Sequence, residues 1–168
     1  MKLKNKAWPR PLFWIILSVL LGLDQVSKWW FMQHYWPGKS VSVIPGFFNL
    51  TYVRNDGMAF GLFQGNNLRL GLLACLILIL AVSYARKLNW RLLEPNILGA
   101  LFLAGATGNL IDRFQHGYVV DFADFYVGTW HWPAFNVADS CITLLGIWLF
   151  LRMTILDCPR VDPDKQGA

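Results

Sequence analysis

Two aspartates, Asp121 and Asp139, are the residues of this 168-residue chain best suited to chemistry. The segment between them is long enough for one hairpin, which can bring their carboxyls face to face. Two carboxylates sharing a site cannot both ionise cheaply, so the pair holds one proton near neutrality and titrates as a unit. Such a dyad suits peptide hydrolysis without a covalent intermediate. The ionised member takes a proton from water, the protonated member donates to the scissile carbonyl oxygen, and a proton then passes to the leaving amine. Other chemistries find little support. There is no His-Glu-x-x-His helix and no Gly-x-Ser-x-Gly elbow. His116 and His131 stand in outer segments without ligand partners at fixed spacing, Ser27 and Ser140 lack a base, and Cys75, Cys141 and Cys158 have no metal-ligand spacing. No metal and no cofactor are expected, and Cys75 and Cys141 read as small apolar fillers.

Further polar residues fall near the same pair. Asp24 and Lys28 are spaced i,i+4 on one helical face, Asn109, Asp112 and Arg113 share another, and Asn136 precedes Asp139 by three residues. An ionisable group at membrane depth costs roughly 2.5–3.5 kcal/mol on insertion scales, so each asks for a reason. Plainer readings exist for most. Asp24 with Lys28 is a helix-end ion pair, Asn136 is a helix N-cap with Asp139 in the first turn, and Asp112 with Arg113 is a local pair ending its helix. Asn55 and Gly57 form a turn, Gly105 and Gly108 are close-packing positions, and Asp124 is a solvated loop residue.

The elements that must position these residues are membrane spans. The chain is 55% hydrophobic and 15% charged, against about 25% charged in soluble domains. The deficit sits in four apolar runs, read as spans over 12–32, 68–87, 95–113 and 137–154, with outer segments 33–67 and 114–136. No small-x-small cleavage site follows the first run, so it is an uncleaved anchor. Lys2, Lys4, Lys6 and Arg10 precede the first span, Arg86, Lys87 and Arg91 crowd the link between the second and third, and Arg152, Arg160 and Lys165 follow the fourth. Gln115 to Asn136 holds no Lys or Arg. This bias places both termini in the cytoplasm and every polar cluster at the outer leaflet.

The net charge of +5 therefore reflects topology, and no aromatic-interleaved basic stripe of the nucleic-acid-binding kind is present. Val41 to Val53 with Pro45-Gly46, and Tyr118 to Trp132 with Gly128, read as strands joined by turns. Asp157 to Ala168 reads as a frayed polar tail. The expected fold is an all-α membrane protein: a four-helix transmembrane bundle with a small extracytoplasmic β-sheet, forming one domain over 1–168.

In order along the chain, Leu23-Asp24-Gln25-x-x-Lys28, Asn55-Asp56-Gly57-Met58-Ala59-Phe60, Gly105 through Arg113, Val119-Val120-Asp121-Phe122 and Phe135-Asn136-Val137-Ala138-Asp139-Ser140 resemble the five motifs of the lipoprotein signal peptidases, the type II signal peptidases of bacteria. The resemblance implies that Asp121 and Asp139 are the catalytic pair. It implies that Asp24, Lys28, Asn55, Gly57, Asn109, Arg113, Asn136 and Ala138 contact substrate or support the site. It also implies an aspartic endopeptidase of the bacterial inner membrane, a diacylglyceryl prolipoprotein substrate, contact with membrane lipid, and inhibition by globomycin-type cyclic peptides. Asp56, Met58 and Gly61 depart from the family pattern. Two other classes remain: a four-span proton-coupled transporter, which requires access from both sides of the membrane, and a non-catalytic binding protein, which would tolerate Asp121→Asn.

Overall fold

The computed structural model describes residues 8–57 and 63–156. Lys2, Lys4, Lys6, Met58, Ala59, Phe60, Gly61, Cys158, Arg160, Lys165 and the tail lie outside the described residues. Four helices carry the four apolar runs: α1 (Pro11–His34), α2 (Asn67–Ala85), α3 (Leu93–His116) and α4 (Val137–Leu151), the last continued by a π-helical turn, Arg152–Leu156. The first three, and the fourth together with its π-helical turn to Ile155, are long and apolar enough to cross a membrane. Pro11 opens α1, where its missing N–H costs nothing. Asn136 opens α4 with a reciprocal cap, its side chain accepting from the Asp139 N–H while the Asp139 carboxylate accepts from the Asn136 N–H.

Helix α3 is central and packs on α1, α2 and α4. It has the lowest mean hydropathy of the four, 1.2 against 2.3 for α2, because its faces meet protein while α2 turns Leu and Ile outward and buries only Gly71. In hydrocarbon such outward apolar residues need no partner, and close helix approach depends on small residues instead. Gly105 and Gly108 serve that purpose. A Cβ on Gly105 would lie 2.6 Å from the Ala138 carbonyl oxygen, and one on Gly108 would collide with the Asp24 carboxylate. Gly108→Ala is therefore expected to destabilise the bundle by about 1–3 kcal/mol through overpacking. Gly146→Ala, whose site on α4 is open, is expected to gain up to about 1 kcal/mol of helix propensity. Melting temperatures in detergent check the opposite signs.

The strands β1 (Ser40–Ile44), β2 (Phe48–Asn55), β3 (Val119–Val127) and β4 (Trp130–His131) form an antiparallel sheet in chain order. It sits where α1 and α3 end and α4 begins. Phe31 of α1 stacks on Phe122 at 4.5 Å, and Phe31, Tyr52 and Val120 form a buried core joining sheet to bundle. A register shift between Leu50 and Val53 lets β2 set Val53 opposite Asp121.

Three expectations are corrected. The third helix runs to His116, so His116 is helical; it stops at Gly117, whose φ of 81° caps it through an N–H to the Arg113 carbonyl. Asp112 pairs across to α1 and leaves Arg113 to other partners. Asp124 is no solvated loop residue: it lies in β3, 7% exposed, and accepts from Asn49, Thr51 and His131, the last at 2.8 Å. The β2–β3–β4 register places those donors around it, and two of them, Asn49 and Thr51, lie more than 70 residues away in sequence.

Candidate active site

The pair of aspartates converges on one residue. Asn136 Nδ2 donates to Asp121 Oδ1 at 2.8 Å, and the Asn136 backbone N–H donates to Asp139 Oδ2 at 3.2 Å. The other Asp121 oxygen accepts from Asn55 Nδ2 at 2.9 Å, and the other Asp139 oxygen accepts from Asn109 Nδ2 at 2.7 Å. Asn136 thus caps a helix and holds both carboxyls at once, and Asn55 likewise does two things: its Oδ1 holds the Gly57 N–H in a turn while its amide holds Asp121. Asp121, on β3, is 1% exposed; Asp139, one turn into α4, is less deeply buried. Burial first, then the neighbouring Asp139 charge, push the Asp121 carboxyl up to about 8, against the donors Asn55 and Asn136 and the Lys28 cation.

Asp24 and Lys28 stand behind this pair. Lys28 Nζ meets Asp24 Oδ2 at 2.9 Å, Asp112 Oδ2 at 3.0 Å and Asn109 Oδ1 at 3.0 Å, which uses all three ammonium protons. The free oxygen of Asp24 accepts the Ala138 N–H at 2.9 Å, and Asp112 accepts the Val120 N–H at 3.0 Å. The helix-end ion pair read from the spacing is therefore a buried three-residue brace clamping α1, α3, α4 and the start of β3. Ala138 contributes its backbone and its small size, being buried against Gly108.

The brace reaches the aspartates through Asn109, which accepts from Lys28 and Asn136 and donates to Asp139. Asp112, read from the sequence as a local partner of Arg113, and Gln25, which bridges Asp24, Gly108 and Asp112 and was given no role, also belong to it. The signal for Gln25 was its place beside Asp24.

Arg113 Nη2 donates to the Gly57 carbonyl at 2.8 Å, and its charge acts on both Asp139 and Asp121. Its Nη1 is buried without a hydrogen-bond partner among the described residues. Asp56, which departs from the expected pattern, accepts from the Gly65 N–H at 3.2 Å and ties the two ends of its loop together. A cleft of about 570 Å³ opens beside Asp121, lined also by Asn55, Arg54, Asp124, His131 and Trp130. No cluster of three or more His, Cys, Asp or Glu able to hold a metal ion occurs among the described residues.

A model of the signal peptidase (SPase) II family matches residues 16–155. The chain belongs to the signal peptidase II family. It is 43% identical over 150 residues to the lipoprotein signal peptidase of Syntrophus aciditrophicus, covering 86% of this chain and 93% of that one. It is 42% identical over 146 residues to that of Shewanella oneidensis, covering 81% and 83%. Two solved structures, each described as a bacterial membrane enzyme determined by the in meso method, superpose with a TM-score of 0.77. The one at 2.3 Å resolution is 34% identical over 84% of this chain and 86% of its own; the one at 1.9 Å is 32% identical over 90% and 97%. A signal peptidase II is a peptidase embedded in the membrane by several spans, and the transporter reading is set aside.

Proposed function

We propose that this signal peptidase is an aspartic endopeptidase that removes the signal peptide from diacylglyceryl-modified prolipoproteins, with Asp121 and Asp139 as its catalytic residues. The observation that carries the reading is the grip of Asn136 on both carboxyls. Each Asp121 oxygen already accepts one amide N–H, so a proton on Asp121 occupies a remaining lone pair. Asp139, at the N-terminus of α4 and closer to water, is the member that carries the charge and takes the proton from the attacking water. Asp121 donates to the scissile carbonyl oxygen. Arg113 Nη1 offers a donor to the substrate backbone, Asn55 and Gly57 shape the neighbouring turn, and Asp24, Lys28, Asn109, Asn136 and Ala138 fix the carboxyls. No metal or cofactor enters the chemistry.

The chain acts as one integral domain of the bacterial cytoplasmic membrane. Arg10, Arg86, Lys87 and Arg91 lie at the helix ends remote from the aspartates, so positive-inside bias puts both termini in the cytoplasm and the dyad at the outer face. There a lipid-modified cysteine holds the scissile bond at headgroup depth. A globomycin-type cyclic peptide is expected to compete for the same site.

The pH profile tests the dyad. Asp121 must hold its proton to act as acid, and the group loses that proton as pH rises through about 8. Cleavage of a lipidated precursor in detergent is therefore expected to follow a bell, with kcat/KM falling above about pH 8 and a separate acid limb where the pair takes a second proton. A rate that goes on climbing well beyond that point would rule out a protonated carboxyl as the donor.

A further inference from the structure

At the helix ends remote from the aspartates lies a second cleft, of about 950 Å³. One wall is apolar: Phe13 and Trp14 from the first turns of α1, Val82 from the last turn of α2, and Leu103. Leu103 lies about ten residues, roughly 15 Å, along α3 from its start, deeper than the helix-end residues beside it. The rim is cationic, formed by Arg86, Lys87 and Arg91, all exposed. Among the described residues no carboxylate stands within ion-pair distance of these three. Glu94, the nearest acid along the chain, is engaged by Trp148 and Arg152.

The loop carrying the cations is anchored. Trp90 Nε1 donates to the Ala85 carbonyl at 2.9 Å, and its ring meets Phe13 edge-on at 5.5 Å. Buried Asn96 donates to the Trp90 carbonyl at 2.8 Å, and the Arg10 guanidinium donates to the Arg91 carbonyl. Cations that served topology alone would need only to lie in the loop. Here they border a cleft whose apolar wall extends inward from them to Leu103.

We propose that this cleft binds one anionic phospholipid, its phosphate on Arg86, Lys87 and Arg91 and an acyl chain along Phe13, Val82 and Leu103. Three positive charges without a carboxylate partner among the described residues select an anionic headgroup over a zwitterionic one, and the apolar wall selects a lipid over a soluble anion. The inference is independent of the dyad.

The test uses the full chain in detergent, with native mass spectrometry in equal amounts of phosphatidylglycerol and phosphatidylcholine. The unmodified protein is expected to retain one phosphatidylglycerol in preference. The triple variant Arg86→Gln, Lys87→Gln, Arg91→Gln is expected to lose roughly a hundredfold in that affinity, with phosphatidylcholine unaffected. Val82→Trp, which keeps every charge and projects a ring into the apolar side of the cleft, is expected to lose phosphatidylglycerol as well. Precursor cleavage by both variants reports that they are folded. Equal retention of the two lipids overturns the proposal, as does unmodified phosphatidylglycerol retention in either variant. Displacement of the lipid by inorganic phosphate also overturns it, since a simple anion patch would then suffice.

Discussion

Asp139→Asn is expected to lower kcat on a lipidated precursor about 10²–10⁴-fold, the range that one general acid or base supplies, while KM changes little. An amide keeps the shape of the carboxylate and can still accept from Asn109 Nδ2, the shorter of the two bonds Asp139 receives. It sets an N–H against the Asn136 N–H, so part of the α4 cap is lost, at about 0.5–2 kcal/mol. The helix itself remains, because Asn136 still caps it through the residue-139 N–H. Asp121→Asn is expected to cost a similar factor in kcat, since an amide has no proton to give.

The sharper expectation concerns the double variant. Residues that work on one proton act as a unit, and their losses do not add. With both aspartates replaced, activity should match the worse single variant and fall no lower. A double variant that loses the product of the two single factors would show two independent roles and remove the dyad. Either single variant turning over at the unmodified rate would do the same.

The parts of this site that could be read from sequence are those in which neighbours along the chain are neighbours in space. Asn136 and Asp139 cap α4 because three residues separate an Asx side chain from the N–H it needs. Asp24 and Lys28 pair because four residues make one helical turn. The turn at Pro45-Gly46 and the one at Gly128 fall between the strands that their flanking Val and Phe residues suggested. Asp112 marks where such reading stops. The polar run after Ile111 looks like the end of a span, yet the helix continues for another turn because Lys28 and the Val120 N–H neutralise and bond its carboxylate.

The three partners of Asp112, Lys28, Gln25 and the Val120 N–H, all come from other elements, and no spacing predicts which turn of α1 faces which turn of α3. Asp124 was misread for the same reason: its burial depends on a register across three strands. Gly108, by contrast, was legible as a close-packing residue, although only the helix crossing reveals that what it admits is the carboxylate of Asp24.

That carboxylate leads to the largest expected effect on stability, Lys28→Met. The side chains have similar length, so the loss is one of charge and hydrogen bonding. Lys28 and Asp24 are each 1% exposed, and removing the ammonium leaves two carboxylates facing each other in a buried space. Breaking a buried ion pair from one side typically costs 3–5 kcal/mol, so the variant is expected to melt far lower in detergent. Converting the remaining acids to leucine should recover only part of that loss. Asp24 bonds the Ala138 N–H and Asp112 the Val120 N–H, and each would be left unsatisfied at about 1–3 kcal/mol.

A second readout separates this role from mere packing. The Lys28 cation pulls the Asp121 proton affinity down, so whatever Lys28→Met enzyme stays folded should keep the Asp121 proton to higher pH, moving the alkaline limb of kcat/KM upward. A variant that melts early with an unmoved limb would leave Lys28 as scaffold alone. A limb displaced to lower pH would contradict the electrostatic role outright, because losing a nearby cation cannot by itself favour ionisation of Asp121.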